Sequence, residues 1–352
     1  MLGSSTGRAM LAAGLLLFAH GGMTSASADN GLGGVLVRGG GSSFAAPLFK
    51  GWIEAITAVQ PELSIEYDSV GSGEGMSRFV TGSLDFAGTD APLPPEGAAL
   101  VKDGALQLPL AAGMIAICYN LPGVAGELRL PREVYAGIFD GTIREWNDAR
   151  IAAANPGLEL PKRTIGVVVR RDGSGTTFAF TNHLNAIDAN WQERKLGVAI
   201  RVDWPAGAMT ARGNEGVAAT ILQAEYSIGY VEYGFAQRLG LPMALLENRE
   251  GMFVTPGPAA GQAAFAGELD DAGSGDLVQL VSDPDGSASY PIVTLTWALV
   301  NRHYLDARKA EAVKAFLNWA LGEGQPIAES LQYVTLPTGL AAAAQASLAT
   351  IE

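Results

Sequence analysis

Ile165-Gly166-Val167-Val168-Val169-Arg170 runs straight into Arg171-Asp172-Gly173-Ser174-Gly175, and Thr176-Thr177-Phe178-Ala179-Phe180-Thr181-Asn182-His183-Leu184 follows at once. The first stretch is rich in β-branched residues and predicts a strand, the second is a glycine turn, and the third predicts a helix over 176–184. The same strand–glycine turn–helix pattern recurs three times upstream. Val35–Arg38 leads through Gly39-Gly40-Gly41-Ser42-Ser43-Phe44 into a helix over 46–57. Leu63–Tyr67 leads through Gly71-Ser72-Gly73 into a helix over 74–81. Leu84–Gly88 leads through Thr89-Asp90 into a helix over 95–102. Strands and helices alternate in this way along the chain, which predicts an α/β protein. Turns of this kind lie at the carboxyl edges of strands, where α/β sheets bind ligands.

The four turns share one chemistry. Glycine lets backbone approach an oxyanion closely. Ser and Thr hydroxyls donate, and helix N-termini offer free N–H groups and a favourable dipole. Arg170 adds a planar fork suited to a tetrahedral anion. Asp90 is the odd member, a carboxylate among groups that call for a negative ligand. It makes sense opposite an anion that still carries a proton to give.

Taken together, these segments resemble the phosphate-binding proteins of bacterial ABC-type phosphate (Pst) transporters, in the type II periplasmic binding protein family. Val134-Tyr135-Ala136-Gly137-Ile138-Phe139-Asp140-Gly141 with Trp146-Asn147-Asp148, Gly213-Asn214-Glu215-Gly216, Gly229-Tyr230-Val231-Glu232-Tyr233 and Tyr290-Pro291-Ile292 extend the resemblance over nearly the whole chain after the N-terminus. It implies two α/β lobes joined by crossover strands, with the ligand in the cleft. Residues 29–109 and 291–352 would form lobe one and residues 110–290 lobe two. Lobe one would supply the Ser43 hydroxyl, the Phe44 N–H, Ser72 and Asp90. Lobe two would supply Arg170, oriented by Asp172, with Ser174, Gly175 and Thr176. The implied ligand is inorganic phosphate, and the implied partners are the permease subunits of an ABC-type importer. Asp90 would exclude sulfate, which has no proton near neutral pH. Arsenate matches phosphate in donors and shape and is not separated by this argument. Two departures from the family pattern stand out. Glu74 follows the Ser72 turn, where the family keeps small residues, and is expected to face solvent. Ala45 replaces a common proline.

The bulk composition fits an exported binder. The chain has 352 residues, 48% hydrophobic and 17% charged, and a formal charge of −13. That acidity argues against nucleic acid as a partner. It also repels an anion, so the local groups of the site must hold the ligand at short range. Residues 1–28 read as a secretory signal: Arg8, an apolar run over 10–19 that is too short to span a bilayer, and Ala26-Ser27-Ala28 as the cleavage site. This implies a periplasmic protein without a lipid anchor. The single Cys118 is expected to be a buried hydrophobe, and Trp297 and Trp319 core residues. No cofactor or metal is expected. Past the signal, whose Gly3-Ser4-Ser5-Thr6-Gly7 is the one G-x-S-x-G match, the chain has no such elbow, no P-loop and no His/Cys cluster, and it keeps only His183 and His303. An enzyme is therefore not expected.

Overall fold

A computed structural model describes residues 34–266, 269 and 277–352. The expected signal segment lies outside the described residues, as does residue 29–33 of the expected first lobe.

The strands are β1 (Leu36–Gly41), β2 (Ser64–Ser69), β3 (Phe86–Thr89), β4 (Ala105–Asn120), β5 (Arg129–Leu130), β6 (Gly166–Arg170), β7 (Met209–Ala211), β8 (Ser227–Glu232), β9 (Leu245–Glu247), β10 (Phe253–Val254) and β11 (Val293–Asn301). The helices are α1 (Ala46–Val59), α2 (Ser72–Val80), α3 (Pro95–Ala98), α4 (Arg132–Phe139), α5 (Ala149–Ala154), α6 (Gly175–Ile187), α7 (Ala189–Glu193), α8 (Gly213–Gln223), α9 (Tyr233–Arg238), α10 (Pro258–Phe265), α11 (Ala307–Leu321), α12 (Gln325–Ser330) and α13 (Thr338–Leu348).

The described residues place eight strands in one sheet, in the order β2-β1-β3-β11-β4-β8-β6-β7. The apolar stretch around 107–120 explains how it is built. It forms the single 16-residue strand β4, buried almost throughout. Residues 105–114 pair antiparallel with β11, and residues 115–120 then pair antiparallel with β8. One strand thus belongs to two half-sheets. In the first, β1 is parallel to β2 and β3, and β3 is antiparallel to β11. In the second, β6 is parallel to both β7 and β8. Tracing these directions through β4 turns the carboxyl ends of β1 and β3 toward the carboxyl ends of β6, β7 and β8. The level of Thr89 on β4 is Pro109, through Trp297, and the level of Glu232 is Ile115. The two carboxyl edges face each other across this short length of strand.

Each half carries its own aromatic packing. Phe49 stacks on Tyr67 and touches Trp52, Phe86 and Phe316 in the first half. Phe180 stacks on Tyr230, with Phe139 and Trp204 against them, in the second. α1 buries Leu48, Phe49, Trp52 and Ile56 at helical spacing, and α11 buries Val313, Phe316, Leu317 and Ala320. Cys118 and Trp297 are fully buried, while Trp319 is half-buried against the core. The helix expected over 95–102 is shorter. α3 ends at Ala98 and continues as tight turns, with Leu100 N–H bonded to Gly97 and Val101 N–H to Ala98. Gly97 within the helix and Gly104 at φ +73° explain the early stop. Among the described residues no helix is long and apolar enough to cross a membrane.

Candidate anion-binding site

The facing carboxyl edges bring the four glycine turns together. From β1, Gly41 at φ +137° turns the chain so that Ser42 and Ser43 precede α1. A Cβ on Gly41 would lie 2.2 Å from the Gly88 carbonyl oxygen, so only glycine lets β1 approach β3 this closely. From β3, Asp90 extends past the strand end and is buried.

The Asp90 carboxylate is surrounded by hydroxyls. The Ser42 hydroxyl lies 2.8 Å from its Oδ1 and 2.6 Å from its Oδ2. The Thr296 hydroxyl of β11 donates to Oδ1 at 2.9 Å, and Ser72 Oγ stands 3.5 Å from Oδ2. Burial pushes the Asp90 carboxyl up to about 6, against the opposing pull of the Ser42 and Thr296 hydroxyls, the Arg170 charge and Ser72. Tyr67, buried beside this group, is also raised, first by burial and then by the Asp90 charge.

The opposite wall comes from β6 and α6. Arg170 is the last residue of β6 and its side chain is almost wholly buried. Its Nε donates to Asp172 Oδ1 at 2.9 Å, and its terminal nitrogen pairs with Asp172 Oδ2. Asp172 also accepts from the Gly213 N–H at 3.1 Å. Burial works to raise the Asp172 carboxyl, but the guanidinium outweighs it and leaves it below the usual carboxylate value. The remaining Arg170 nitrogen reaches the Thr176 hydroxyl at 3.4 Å. Arg171, one residue on, is exposed, as strand alternation requires. Ser174 is the N-cap of α6, its hydroxyl accepting from Thr177 N–H at 3.0 Å.

Glycine brings α6 close to the first half-sheet. A Cβ on Gly175 would lie 2.6 Å from Ser72 Oγ and 2.7 Å from both the Asp90 nitrogen and Oδ2. The Gly73 N–H donates to the Gly173 carbonyl at 2.9 Å, joining the two turns across the cleft. The N–H groups of Phe44, Gly175 and Thr176 are buried and have no partner among the described residues. Buried backbone donors are otherwise nearly always satisfied. With the Arg170 guanidinium, they are the donors this site offers to an anion.

The structure thus gathers Ser43, Phe44, Ser72, Asp90, Arg170, Asp172, Ser174, Gly175 and Thr176 at one place, with two refinements. Asp90 is touched by Ser42 as well as by Ser72. Ser43 instead accepts from the Asn214 N–H and Nδ2, both at 3.1 Å. Asn214 also donates to Thr176 Oγ1 at 3.2 Å and accepts the Glu232 N–H at 2.9 Å, tying α8 to both walls. The Phe44 ring packs edge-on against Tyr333 in the core, leaving only its backbone for the cleft. Sequence reasoning placed no role on Ser42, Asn214 or Thr296. The only signal for Thr296 was that it is one of two threonines, with Thr294, in the mainly apolar run Val293–Val300. Glu74 lies on the exposed side of α2 and pairs with Arg78 at 2.8 Å.

The model of the PBP superfamily domain matches residues 20–323 of the chain. A phosphate-binding protein PstS of Pasteurella multocida is 38% identical over 302 residues, which cover 86% of each chain. A phosphate-binding protein PstS of Methanocaldococcus jannaschii is 36% identical over 332 residues, covering 87% of this chain and 84% of the relative. The solved structure of a phosphate-binding protein from Stenotrophomonas maltophilia superposes with a TM-score of 0.71 at 20% identity, covering 89% of this chain and 93% of that one. The chain therefore belongs to the PBP superfamily, in the family of these PstS phosphate-binding proteins.

Proposed function

We propose that this protein binds inorganic phosphate between its two half-sheets in the periplasm and delivers it to the permease subunits of an ABC-type importer. The observation that carries the ligand assignment is Asp90: a buried carboxylate set among hydroxyls and opposite Arg170, with unpartnered helix N–H groups beside it. Arg170, the hydroxyls and the amides call for a tetrahedral oxyanion. The carboxylate adds the requirement that this anion donate a proton. Hydrogen phosphate and dihydrogen phosphate meet it, sulfate does not, and arsenate follows phosphate. The names of the PstS relatives support the phosphate reading.

In this reading residues 29–109 with 291–352 act as one lobe and residues 110–290 as the other. Phosphate is held by the Phe44, Gly175 and Thr176 amides, the Ser43, Ser72, Ser174 and Thr176 hydroxyls and Arg170, while Asp172 orients the arginine. Sites that leave a polar group unpaired for the wrong ligand discriminate by about 10⁴–10⁵-fold. Calorimetry with purified, phosphate-stripped protein tests this. Tight binding of phosphate and none of sulfate is expected, and equal affinity for the two overturns the assignment. Assaying phosphate-ester hydrolysis on the same sample separates a binder from a hydrolase.

A further inference from the structure

The entrance to the cleft is basic, although the chain as a whole carries −13. A cavity of about 320 Å³ opens there, lined by Val70 and Glu74 on one side and by Arg171, Asp172, Gly173, Arg201 and Arg212 on the other. The three arginines come from separate stretches of the second half: the end of β6, the loop before β7, and the start of α8. All three are exposed, and none is in an ion pair among the described residues. Both carboxylates in the lining are neutralised elsewhere. Glu74 is held by Arg78 at 2.8 Å, and Asp172 by Arg170 and the Gly213 N–H. The free charge of the cavity is therefore cationic.

The cavity also adjoins the inner site. Asp172 forms part of its wall and at the same time grips Arg170. Gly173, whose carbonyl closes the cleft onto Gly73, stands beside the Arg201 guanidinium, with a Cβ built on it 3.5 Å from Nε. Arg212 reaches across the cleft to the Val70 carbonyl at 3.4 Å.

We propose that this mouth is a second, outer site for small oxyanions, which collects phosphate from solution and passes it to Arg170 before the lobes close. The proposal rests on the phosphate reading of the inner site. An anion approaching the chain meets a repulsive overall field, and guanidinium groups focused at the rim of a cleft reverse that field locally. Rim charges of this kind act on the association rate and its salt dependence more than on the lifetime of the complex. The outer site has no carboxylate free to accept a proton, so it takes sulfate as readily as phosphate. Selection is left to Asp90 further in.

The test is the rate of association of radiolabelled phosphate, measured by rapid mixing at low and high ionic strength. Arg201→Ala/Arg212→Ala should lower the association rate roughly tenfold at low ionic strength, the lower end of what steering provides. The difference should vanish in high salt, and Arg201→Ala should leave the dissociation rate unchanged. Arg201→Ala alone, which breaks no hydrogen bond across the cleft, should move the rate in the same direction. Arg201→Lys/Arg212→Lys should restore most of it. In wild type, sulfate should slow phosphate association more than chloride does at matched ionic strength, and the alanine pair should remove that effect. Equal association rates for wild type and the alanine pair overturn the proposal. So does a sulfate effect no larger than that of chloride. Failure of wild type to bind phosphate in calorimetry would instead overturn the function on which the proposal rests.

Discussion

At the residue scale, Asp90 is where the binding chemistry and the stability of the fold pull against each other. Its carboxyl is raised from 3.8 to about 6 because burial opposes its charge. A carboxyl whose folded value lies above its unfolded one favours the folded state most when protonated. The cost sets in as pH rises through about 4 and is complete above about 6. A shift of this size corresponds to roughly 3 kcal/mol. Asp90→Asn removes the buried charge and keeps a side chain that can both accept and donate. Phosphate-free Asp90→Asn should therefore melt at a higher temperature than wild type at pH 7.5, and the gap should close as pH falls toward 4. Calorimetric melting over that range checks it, and a gap that does not depend on pH contradicts it. The same variant should keep phosphate binding while losing part of its discrimination against sulfate. Arg170 and Arg171 offer a second contrast. Arg170 is buried against Asp172 and Thr176, whereas Arg171 points outward. Losing a charged hydrogen-bond partner costs about 1.5–3 kcal/mol. Arg170→Ala should weaken phosphate binding at least tenfold, and far more than Arg171→Ala, in equilibrium titrations. Equal losses would mean that Arg170 is not the residue gripping the anion.

At the scale of elements, the closeness of α6 to the first half-sheet depends on Gly175. A methyl group there would lie 2.6 Å from Ser72 Oγ and 2.7 Å from the Asp90 nitrogen. Those atoms belong to the other half of the cleft, so the clash arises only when the cleft is shut. Overpacking of this kind costs about 1–3 kcal/mol. Gly175→Ala should weaken phosphate binding roughly ten- to a hundredfold and leave the melting temperature of phosphate-free protein unchanged. An unaltered affinity in titration would show that α6 does not approach so closely. The strand–turn–helix units were legible in the sequence because each announces itself locally, through β-branched residues, glycine and then helical spacing. The segments at β1, β3 and β6 hold their predicted strands to within two or three residues. What could not be read was long-range. Nothing in the apolar stretch of β4 shows that it changes partner between Met114 and Ile115, since that depends on β11 and β8, more than a hundred residues away. The two- and three-residue strands β5, β7, β9 and β10 are too short to show any period. The roles of Asn214 and Thr296 likewise come from what the fold places beside them.

At the scale of the whole molecule, the contacts that hold the cleft shut are few and polar. Gly73 bonds to Gly173, Asn214 to Ser43, and Arg212 to the Val70 carbonyl at 3.4 Å, while Ser69 lies 3.4 Å from Glu215. One continuous apolar core runs beneath both halves, and at the lips Ile200 adds an apolar contact to the Met76 and Phe79 cluster of the first half. Interfaces of this size and polarity permit relative motion of the parts they join. Bound phosphate would supply what the lips lack, since it bonds to donors on both walls, and binding should draw the halves together about β4. Small-angle scattering should therefore show a smaller radius of gyration with saturating phosphate than after phosphate is stripped, and no change with sulfate. The lip glycines set the limit of this motion. A Cβ on Gly73 would stand 2.9 Å from the Gly173 Cα and 3.1 Å from Ile200 Cδ1. Gly73→Val should keep the halves apart, so that saturating phosphate no longer compacts the protein and affinity falls with it. A wild-type radius that is the same with and without phosphate would mean that the anion enters a cleft already fixed in its closed form. A Gly73→Val protein that still compacts would place the closing contacts somewhere other than these two turns.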